Sequence, residues 1–345
     1  MNIDKFDYHL PHELIAQFPS RRRDQSRLLT LERSSGSLGL GLFHDVLQYL
    51  NRGDALVVNT TKVFKARLIG RRASGGKVEI FLVRRVEPDS ELTWLALVHP
   101  SRRVRQGETI DFGGQQVELS ADVGGGRWHV SFRSLRQRQI IVSNHGHVPL
   151  PHYIKRDDQP TDLRRYQTVF ADKDKVGAVA APTAGFHFTP SILKALRDRG
   201  VAIIELCLHV GPGTFKPVKV DRIEDHVVDP EMAELSPAAA AALNRVRAHG
   251  GKVIAVGTTS VRTLESAEIV DSQIQPFSKM VDLYIQPGYQ FRVVDHLITN
   301  FHLPKSSLLI LVSAFAGRRM ILDAYALAIS HKYRFYSYGD AMLIL

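Results

Sequence analysis

One cysteine, Cys207, stands in 345 residues, so the chain can form no disulfide within itself. A cysteine-ligated zinc ribbon or iron–sulfur site is excluded for the same reason, and a reducing, cytoplasmic setting is expected. Long apolar runs are lacking too. The longest, 308–312 continuing through Ser313 to Ala316, falls well short of the roughly 20 residues that cross a bilayer. The opening residues, Met-Asn-Ile-Asp-Lys-Phe-Asp, have neither the basic nor the apolar region of a secretion signal, and no membrane association is expected. No GxGxxG or GxxxxGKS/T run opens a strand–helix unit, and no HExxH occurs. The usual dinucleotide and nucleoside triphosphate cradles and the common zinc hydrolase motif are thereby removed. Internal repeats and low-complexity tracts are also missing.

What is present is the composition of an ordinary soluble globular protein, 44% hydrophobic and 23% charged. The length points to about two domains. The net charge of +10 is concentrated in one place. Residues 1–61 carry 7 basic and 7 acidic side chains and 157–345 carry 21 and 20, whereas 62–156 carry 17 and 8. That middle stretch reads either as a solvated basic surface or as a footprint for a polyanion, since Lys and Arg gain binding free energy by releasing condensed phosphate counterions. Its own pattern favours the second.

Between Ala66 and Val142 the sequence shows short strand-like runs at 66–70, 77–83, 92–98, 108–112, 116–119 and 128–132. Gly75-Gly76, Pro88-Asp89, Gly113-Gly114 and Gly124-Gly125-Gly126 separate them, which predicts a small antiparallel barrel. Outside it, strands alternate with helices. Ser236 and Pro237 cap and open an Ala-rich helix that Gly250 and Gly251 close, and a strand at 252–256 leads to a helix from about Ser260. Thr189 and Pro190 to Gly200 repeat that arrangement before a strand at 201–208. The expected fold class is an α/β main domain with an inserted antiparallel β-barrel. Residues 1–61 and 157–345 would form the α/β catalytic domain, and 62–156 the basic barrel.

In such a domain the chemistry sits where strands end in small or polar residues. Four places qualify: 55–58 running into Asn59 and Lys62; 179–188, with Thr183, Gly185, His187 and Phe188; 208–215, with His209, Gly211, Gly213, Thr214 and Phe215; and 256–262, with Thr258, Thr259, Ser260 and Arg262. The last feeds a helix start, whose free N–H groups and positive dipole suit a carboxylate or phosphate. Any one could be only a turn; four together point to a pocket. His187, His209 and His302 each lie in a glycine- or proline-punctuated segment, where an imidazole suits acid–base work or a buried hydrogen bond. His145 with His147, and His9 with His12, have no carboxylate cluster nearby in sequence, and no metal site is expected.

The runs Ala-Ala-Pro-Thr-Ala-Gly-Phe-His-Phe-Thr at 180–189, His-Val-Gly-Pro-Gly-Thr-Phe at 209–215 and Gly-Thr-Thr-Ser-Val-Arg-Thr-Leu-Glu-Ser at 257–266 closely resemble the S-adenosylmethionine:tRNA ribosyltransferase-isomerase family of queuosine biosynthesis. So do Thr-Asn-Phe-His-Leu-Pro-Lys-Ser at 299–306, Leu-Val-Ser-Ala-Phe-Ala-Gly at 311–317 and Ser-Tyr-Gly-Asp-Ala-Met at 337–342, and the resemblance runs in one order from about Phe6 to Leu345. It implies an α/β domain with an inserted barrel. It also implies transfer of the ribosyl unit of S-adenosylmethionine to the aminomethyl-deazaguanine wobble base of tRNA, and its isomerisation to the epoxycyclopentane of epoxyqueuosine with release of adenine and methionine. S-adenosylmethionine is then a cosubstrate, no prosthetic group or metal is expected, the partner is the precursor-containing tRNA, and the chain is expected to be a monomer. A tRNA methyltransferase using the same cosubstrate and a non-catalytic tRNA-binding paralogue are the competing readings.

On that reaction, His187, His209 and His302 are the candidates for proton transfer. Phe188 and Phe215 could face the sulfonium, where cation–π attraction is worth about 0.5–2 kcal/mol. Thr258, Thr259, Ser260 and Arg262 suit the methionine carboxylate. Asn59, Lys62, Arg67, Asn300, His302 and Lys305 are candidates for substrate positioning, and Asp340 for binding an amine or fixing Tyr338. Arg102, Arg103 and Arg105 are expected on one barrel loop against tRNA phosphates. The chain departs from the family pattern at Thr60 and at Val228 and Asp229, and Asp229 with Pro230 is expected in a polar loop away from the strand ends.

Overall fold

A computed structural model describes residues 1–345 other than 88, 89, 216 and 217, and other than the side chains of 214 and 215. Its frame is a nine-stranded mixed sheet. In spatial order the strands are Phe277–Val281, Glu231–Leu235, Ala202–Leu208, Ala55–Asn59, Val253–Val256, His296–Asn300, Ala341–Ile344, Arg27–Leu31 and Leu38–Leu42. The four central strands from Ala202–Leu208 to His296–Asn300 are parallel. The two inner ones, Ala55–Asn59 and Val253–Val256, are buried throughout and carry short continuous apolar runs because both faces are covered. Successive side chains alternate between two cores: Ala55 and Val57 face one with Leu297 and the helices Thr258–Glu265 and Ser307–Ala316, while Leu56 and Val58 face the other with Phe43 and the helix Pro190–Asp198. All four of 55–58 have no exposed surface, and burying each Val or Leu contributes about 1.5–3 kcal/mol.

The earliest of these strands in the chain, Ala55–Asn59, lies in the middle. The chain next adds Ala202–Leu208 on one side of it and Val253–Val256 on the other, which makes a switch point at its carboxyl end. Ala341–Ile344 runs antiparallel to His296–Asn300, with Asn300 opposite Ala341, and Arg27–Leu31 runs parallel to Ala341–Ile344. The ends at Asn59, Leu208, Val256 and Asn300 and the starts at Arg27 and Ala341 therefore share one edge of the sheet. This edge carries the site.

The second sheet spans Arg67 to His147 in the order Gly146–His147, Arg67–Arg71, Lys77–Arg85, Thr93–His99, Arg127–Ser131, Gln115–Gly124 and Thr109–Phe112. Arg71 pairs with Asp111, so six strands close into an antiparallel barrel around Leu68, Ile80, Trp94, Ile110, Phe112 and Trp128. Gly70 permits the closure: a Cβ there would stand 2.6 Å from Ile110 and 2.8 Å from the Phe112 ring. The fold class is that expected from the sequence. One local difference is the helix Leu135–His145, started by Ser134, whose side chain accepts from Gln137 N at 3.1 Å. It falls partly within the stretch from Ala66 to Val142 read as short strand-like runs, after the last of those runs at 128–132. The caps behave as predicted: Ser236 accepts from Ala239 N and Thr189 from Ile192 N, both at 3.2 Å. No helix among the described residues is long and apolar enough to cross a membrane.

Candidate active site

Gly257 adopts φ +86°, a conformation that L side chains rarely take, and so turns the strand Val253–Val256 directly into the helix Thr258–Glu265. No side chain among the described residues caps that helix, and its first two residues, Thr258 and Thr259, line a recess with Thr183, Asn300, His302 and Tyr336. The helix start thus brings donors and a positive dipole end to the recess that these polar side chains also line. Ser260, expected to join them, does not face the recess; it is buried and donates back to Val256 O at 2.7 Å.

The three histidines occupy different surroundings. His187 is fully committed: Nδ1 lies 2.6 Å from Ser26 Oγ and Nε2 3.2 Å from Asn300 Nδ2, while Thr183 Oγ1 donates to Asn300 Oδ1 at 3.0 Å. Because the Asn300 amide donates to Nε2 and Ser26 donates its own proton to Arg23 O, the His187 proton sits on Nδ1. His302 has Nε2 2.8 Å from Thr299 Oγ1, its Nδ1 has no hydrogen bond among the described residues, and the residue lines the recess. His209 holds Thr61 Oγ1 at 2.8 Å and packs on Gly177, where a Cβ would come within 2.8 Å of the ring. Burial lowers all three pKa values: to about 4 for His187, to about 3 for His302, and downward for His209, where Lys175 and Arg85 add to it. All three imidazoles are neutral at pH 7. They can accept a proton there, and none arrives as an imidazolium acid.

Several residues singled out from the sequence are placed by the structure in the framework instead. Asn59 has no exposed surface; its Oδ1 accepts from Leu208 N and Thr61 N, both at 3.1 Å, and its Nδ2 donates to Leu208 O at 3.0 Å. It laces two strand ends together. Phe188 is enclosed by Phe43 and Phe170, so neither face is open to a sulfonium. Gly185 makes room for the Phe170 ring, which a Cβ would meet at 2.5 Å. Lys305 points away, to Asp4 at 2.8 Å and Asp7 at 3.2 Å. Asp340 neither meets an open amine site nor holds Tyr338: its carboxylate binds Arg27 and Arg334, and Tyr338 donates to Asp162 at 2.8 Å.

Arg262 lies in a second recess, between the sheet and the barrel, with Gly213, Asp229, Glu231 and Arg127. Its guanidinium already has a carboxylate, that of Glu231, and Glu231 Oε1 also accepts from Gly211 N at 2.6 Å. Asp229 is not remote from the strand ends. It lies 3.6 Å from Arg127 of the barrel and so close to Gly213 that a Cβ there would meet its Oδ2 at 2.7 Å. The side chains of Thr214 and Phe215 lie outside the described residues. Thr60 is buried and donates to Leu206 O at 3.0 Å. Arg67 donates to Leu150 O at 3.0 Å, at the barrel's root. Lys62 borders a separate surface groove, and Arg102, Arg103 and Arg105 are exposed together around the short helical turn Ser101–Arg103 of the barrel. No cluster of metal-ligating side chains occurs among the described residues.

Ser26, Tyr336 and Glu231 were not singled out from the sequence. Tyr336 stacks on Tyr153 at 4.6 Å between ring centres at the mouth of the recess. Ser26 is brought to His187 across 161 positions, which no local pattern encodes. Glu231 begins a strand and Arg262 lies in a helix 31 positions on, so only tertiary packing pairs them.

Comparison with known proteins agrees with this architecture. Residues 3–344 match the family described as queuosine biosynthesis protein. The S-adenosylmethionine:tRNA ribosyltransferase-isomerase of Moorella thermoacetica is 51% identical over 351 aligned residues, and that of Pelobacter propionicus 48% over 345, each alignment covering 100% of both chains. The crystal structure of S-adenosylmethionine tRNA ribosyltransferase from Thermotoga maritima superposes with a TM-score of 0.57 at 34% identity, covering 99% of this chain and 100% of that one. With end-to-end identity near one half and a closed barrel set into the α/β sheet, this chain belongs to the S-adenosylmethionine:tRNA ribosyltransferase-isomerase family of queuosine biosynthesis proteins.

Proposed function

We propose that the chain transfers the ribosyl unit of S-adenosylmethionine to the aminomethyl-deazaguanine wobble base of tRNA and isomerises it to epoxyqueuosine, releasing adenine and methionine. The observation that carries the reading is the recess at the sheet edge, which an uncapped helix start and a neutral imidazole both line. The N–H groups at Thr258 and Thr259 suit the methionine carboxylate. The reaction needs a proton removed from a carbon beside the sulfonium, and His302 Nδ1 is the base best placed for it when the ring carries its proton on Nε2. Adenine then leaves, the tRNA amine attacks, and an alkoxide displaces methionine. Asn300, held by Thr183 and His187, offers a preorganised polar wall. No prosthetic group is required by these steps, and a cytoplasmic monomer is the working assignment.

Product analysis with S-adenosylmethionine and precursor-containing tRNA tests this reading. Free adenine and methionine are expected in equal amounts, and only when the tRNA carries the aminomethyl base, since that amine is the nucleophile. S-adenosylhomocysteine without adenine would make the protein a methyltransferase and overturn the assignment.

The insert 62–156 is read as a tRNA-binding module. Replacing Arg102, Arg103 and Arg105 together with Ala is expected to remove two or three phosphate contacts and so flatten the dependence of log K on log salt by about 1.5–2.5, at roughly 0.7–0.9 per phosphate lost. Turnover at saturating tRNA should fall much less. An unchanged slope in a salt titration would leave this loop as solvated surface.

A further inference from the structure

The α/β part of the chain is close to neutral in sum, yet one of its surfaces is not. Arg23, Lys62, Arg164 and Arg165 line one open groove of about 580 Å³, with no acidic residue in its wall. Arg23 and Arg165 come from distant segments, one just before the first sheet strand and one at the end of the short helix Asp162–Arg165. They are held in place by uncharged partners. Arg23 donates to Phe186 O at 3.0 Å, Arg164 O at 3.2 Å and Gln167 O at 2.8 Å; Arg165 donates to Ser20 O and to Arg21 O at 3.3 Å, and its buried Nε has no partner. Among the described residues no carboxylate forms an ion pair with any of the four.

Carbonyl partners position a guanidinium without cancelling its charge. Side by side, Arg23 and Arg165 repel, and their pKa values are lowered by burial first and by like charge second, to about 10 for Arg23. A folded chain that keeps such a cluster free of carboxylates leaves it unneutralised until an anion arrives. The groove is a separate space from the active-site recess, but the two are linked through shared wall residues. Arg23 and Arg165 form a wall of the small recess that holds His187, and that recess shares Ser337 with the recess lined by Asn300 and His302. An anion in the groove therefore lies next to the recess that holds His187.

We infer that this groove binds backbone phosphates of the tRNA strand next to the modified nucleotide, a second contact surface in addition to the barrel arginines. The inference rests on the proposed function. Planar guanidiniums with donors to spare suit phosphate oxygens, and an exposed Arg164 with Lys62 supplies charges that move to meet them. Holding the strand here, while the barrel holds another part of the same tRNA, would fix the wobble nucleotide over the recess.

The test uses the full chain and an unmodified tRNA transcript in a binding titration at several salt concentrations. Lys62→Ala with Arg164→Ala is expected to flatten the slope of log K against log salt by about 1.4–1.8 for two lost contacts. Arg164→Glu, a surface change that should leave the melting temperature unaltered, is expected to raise KM for tRNA without raising KM for S-adenosylmethionine. A slope equal to that of the unaltered protein, or equal rises in both KM values, would overturn the groove assignment alone. Failure of the unaltered protein to bind the transcript at any salt would overturn the proposed function with it.

Discussion

Turnover by the His302→Ala variant is expected to fall by roughly 10²–10⁴-fold, the usual worth of a positioned acid–base group. The reason lies in the hydrogen bonds. Both ring nitrogens of His187 are engaged, by Ser26 and Asn300, whereas His302 is held at Nε2 by Thr299, has no hydrogen bond at Nδ1 among the described residues, and lines the recess. Its neighbours also hold the backbone: His302 N donates to Tyr325 Oη at 2.8 Å, and Tyr8 Oη donates to His302 O, so the ring is set by the fold rather than by a substrate. Because burial lowers its pKa to about 3, far below the ordinary 6.5, the base form is complete at neutral pH. The rate of the unaltered enzyme should therefore show no acid limb near pH 6.5 from this group. A loss below tenfold on His302→Ala, measured as kcat at saturating substrates, would move the proton transfer to His187 or His209. The lowered values also bear on stability. A histidine buried in its neutral form contributes stability that is present above pH 6.5 and is lost as the pH falls from there towards 4, so thermal stability should decline across that window.

Asp340→Ala is expected to cost about 3 kcal/mol of folding stability, and to act through stability before it acts through substrate. Asp340 Oδ1 accepts from Arg27 N and Arg334 Nη2, both at 3.1 Å, and Oδ2 accepts from Arg27 Nε at 3.1 Å and Arg334 N at 2.8 Å. The carboxylate so joins the starts of two adjacent strands, Arg27–Leu31 and Ala341–Ile344, on the edge that carries the site. Breaking a buried pair by removing one partner costs about 3–5 kcal/mol. The lower end applies because the carboxylate is 2% exposed but the Arg27 and Arg334 side chains are 34% and 31% exposed and can recover water. For a chain of this size that corresponds to a melting temperature lower by roughly 4 °C. Asp340→Asn, which keeps an acceptor but not the charge, should fall between. If melting is unchanged while KM for either substrate rises steeply, Asp340 is a binding residue after all.

Asp340 and Asn59 show where reading residues in order reaches its limit. Each sits at a strand end beside a recognisable motif, and each has the chemistry to bind substrate. Whether a carboxylate or amide is free depends on which strands lie next to it, and strand order is a non-local property. Asn59 meets Leu208 across 149 positions and Asp340 meets Arg27 across 313, so their hydrogen-bonding capacity is spent on contacts that no spacing announces. Asp229 shows the same limit from the opposite side. As a loop residue it reads as remote, yet the closed barrel brings Arg127 to it and the third strand end brings Gly213.

The sequence by itself determined the class of the fold, because alternation, caps and glycine turns are local and each leaves its mark within a few residues. It determined the concentration of positive charge in 62–156, which needs only counting, and it determined the family through long motifs in fixed order. Tertiary structure alone decided which polar groups remain available. It bound both nitrogens of His187 and left one of His302 without a hydrogen bond among the described residues, gave Arg262 a carboxylate of its own in Glu231, and gathered Arg23, Lys62, Arg164 and Arg165 into a groove on a part of the chain with almost no net charge. The physical reason is that a polar side chain acts only with the hydrogen bonds and charge left after packing, and packing joins residues by sheet order and burial rather than by their distance along the chain.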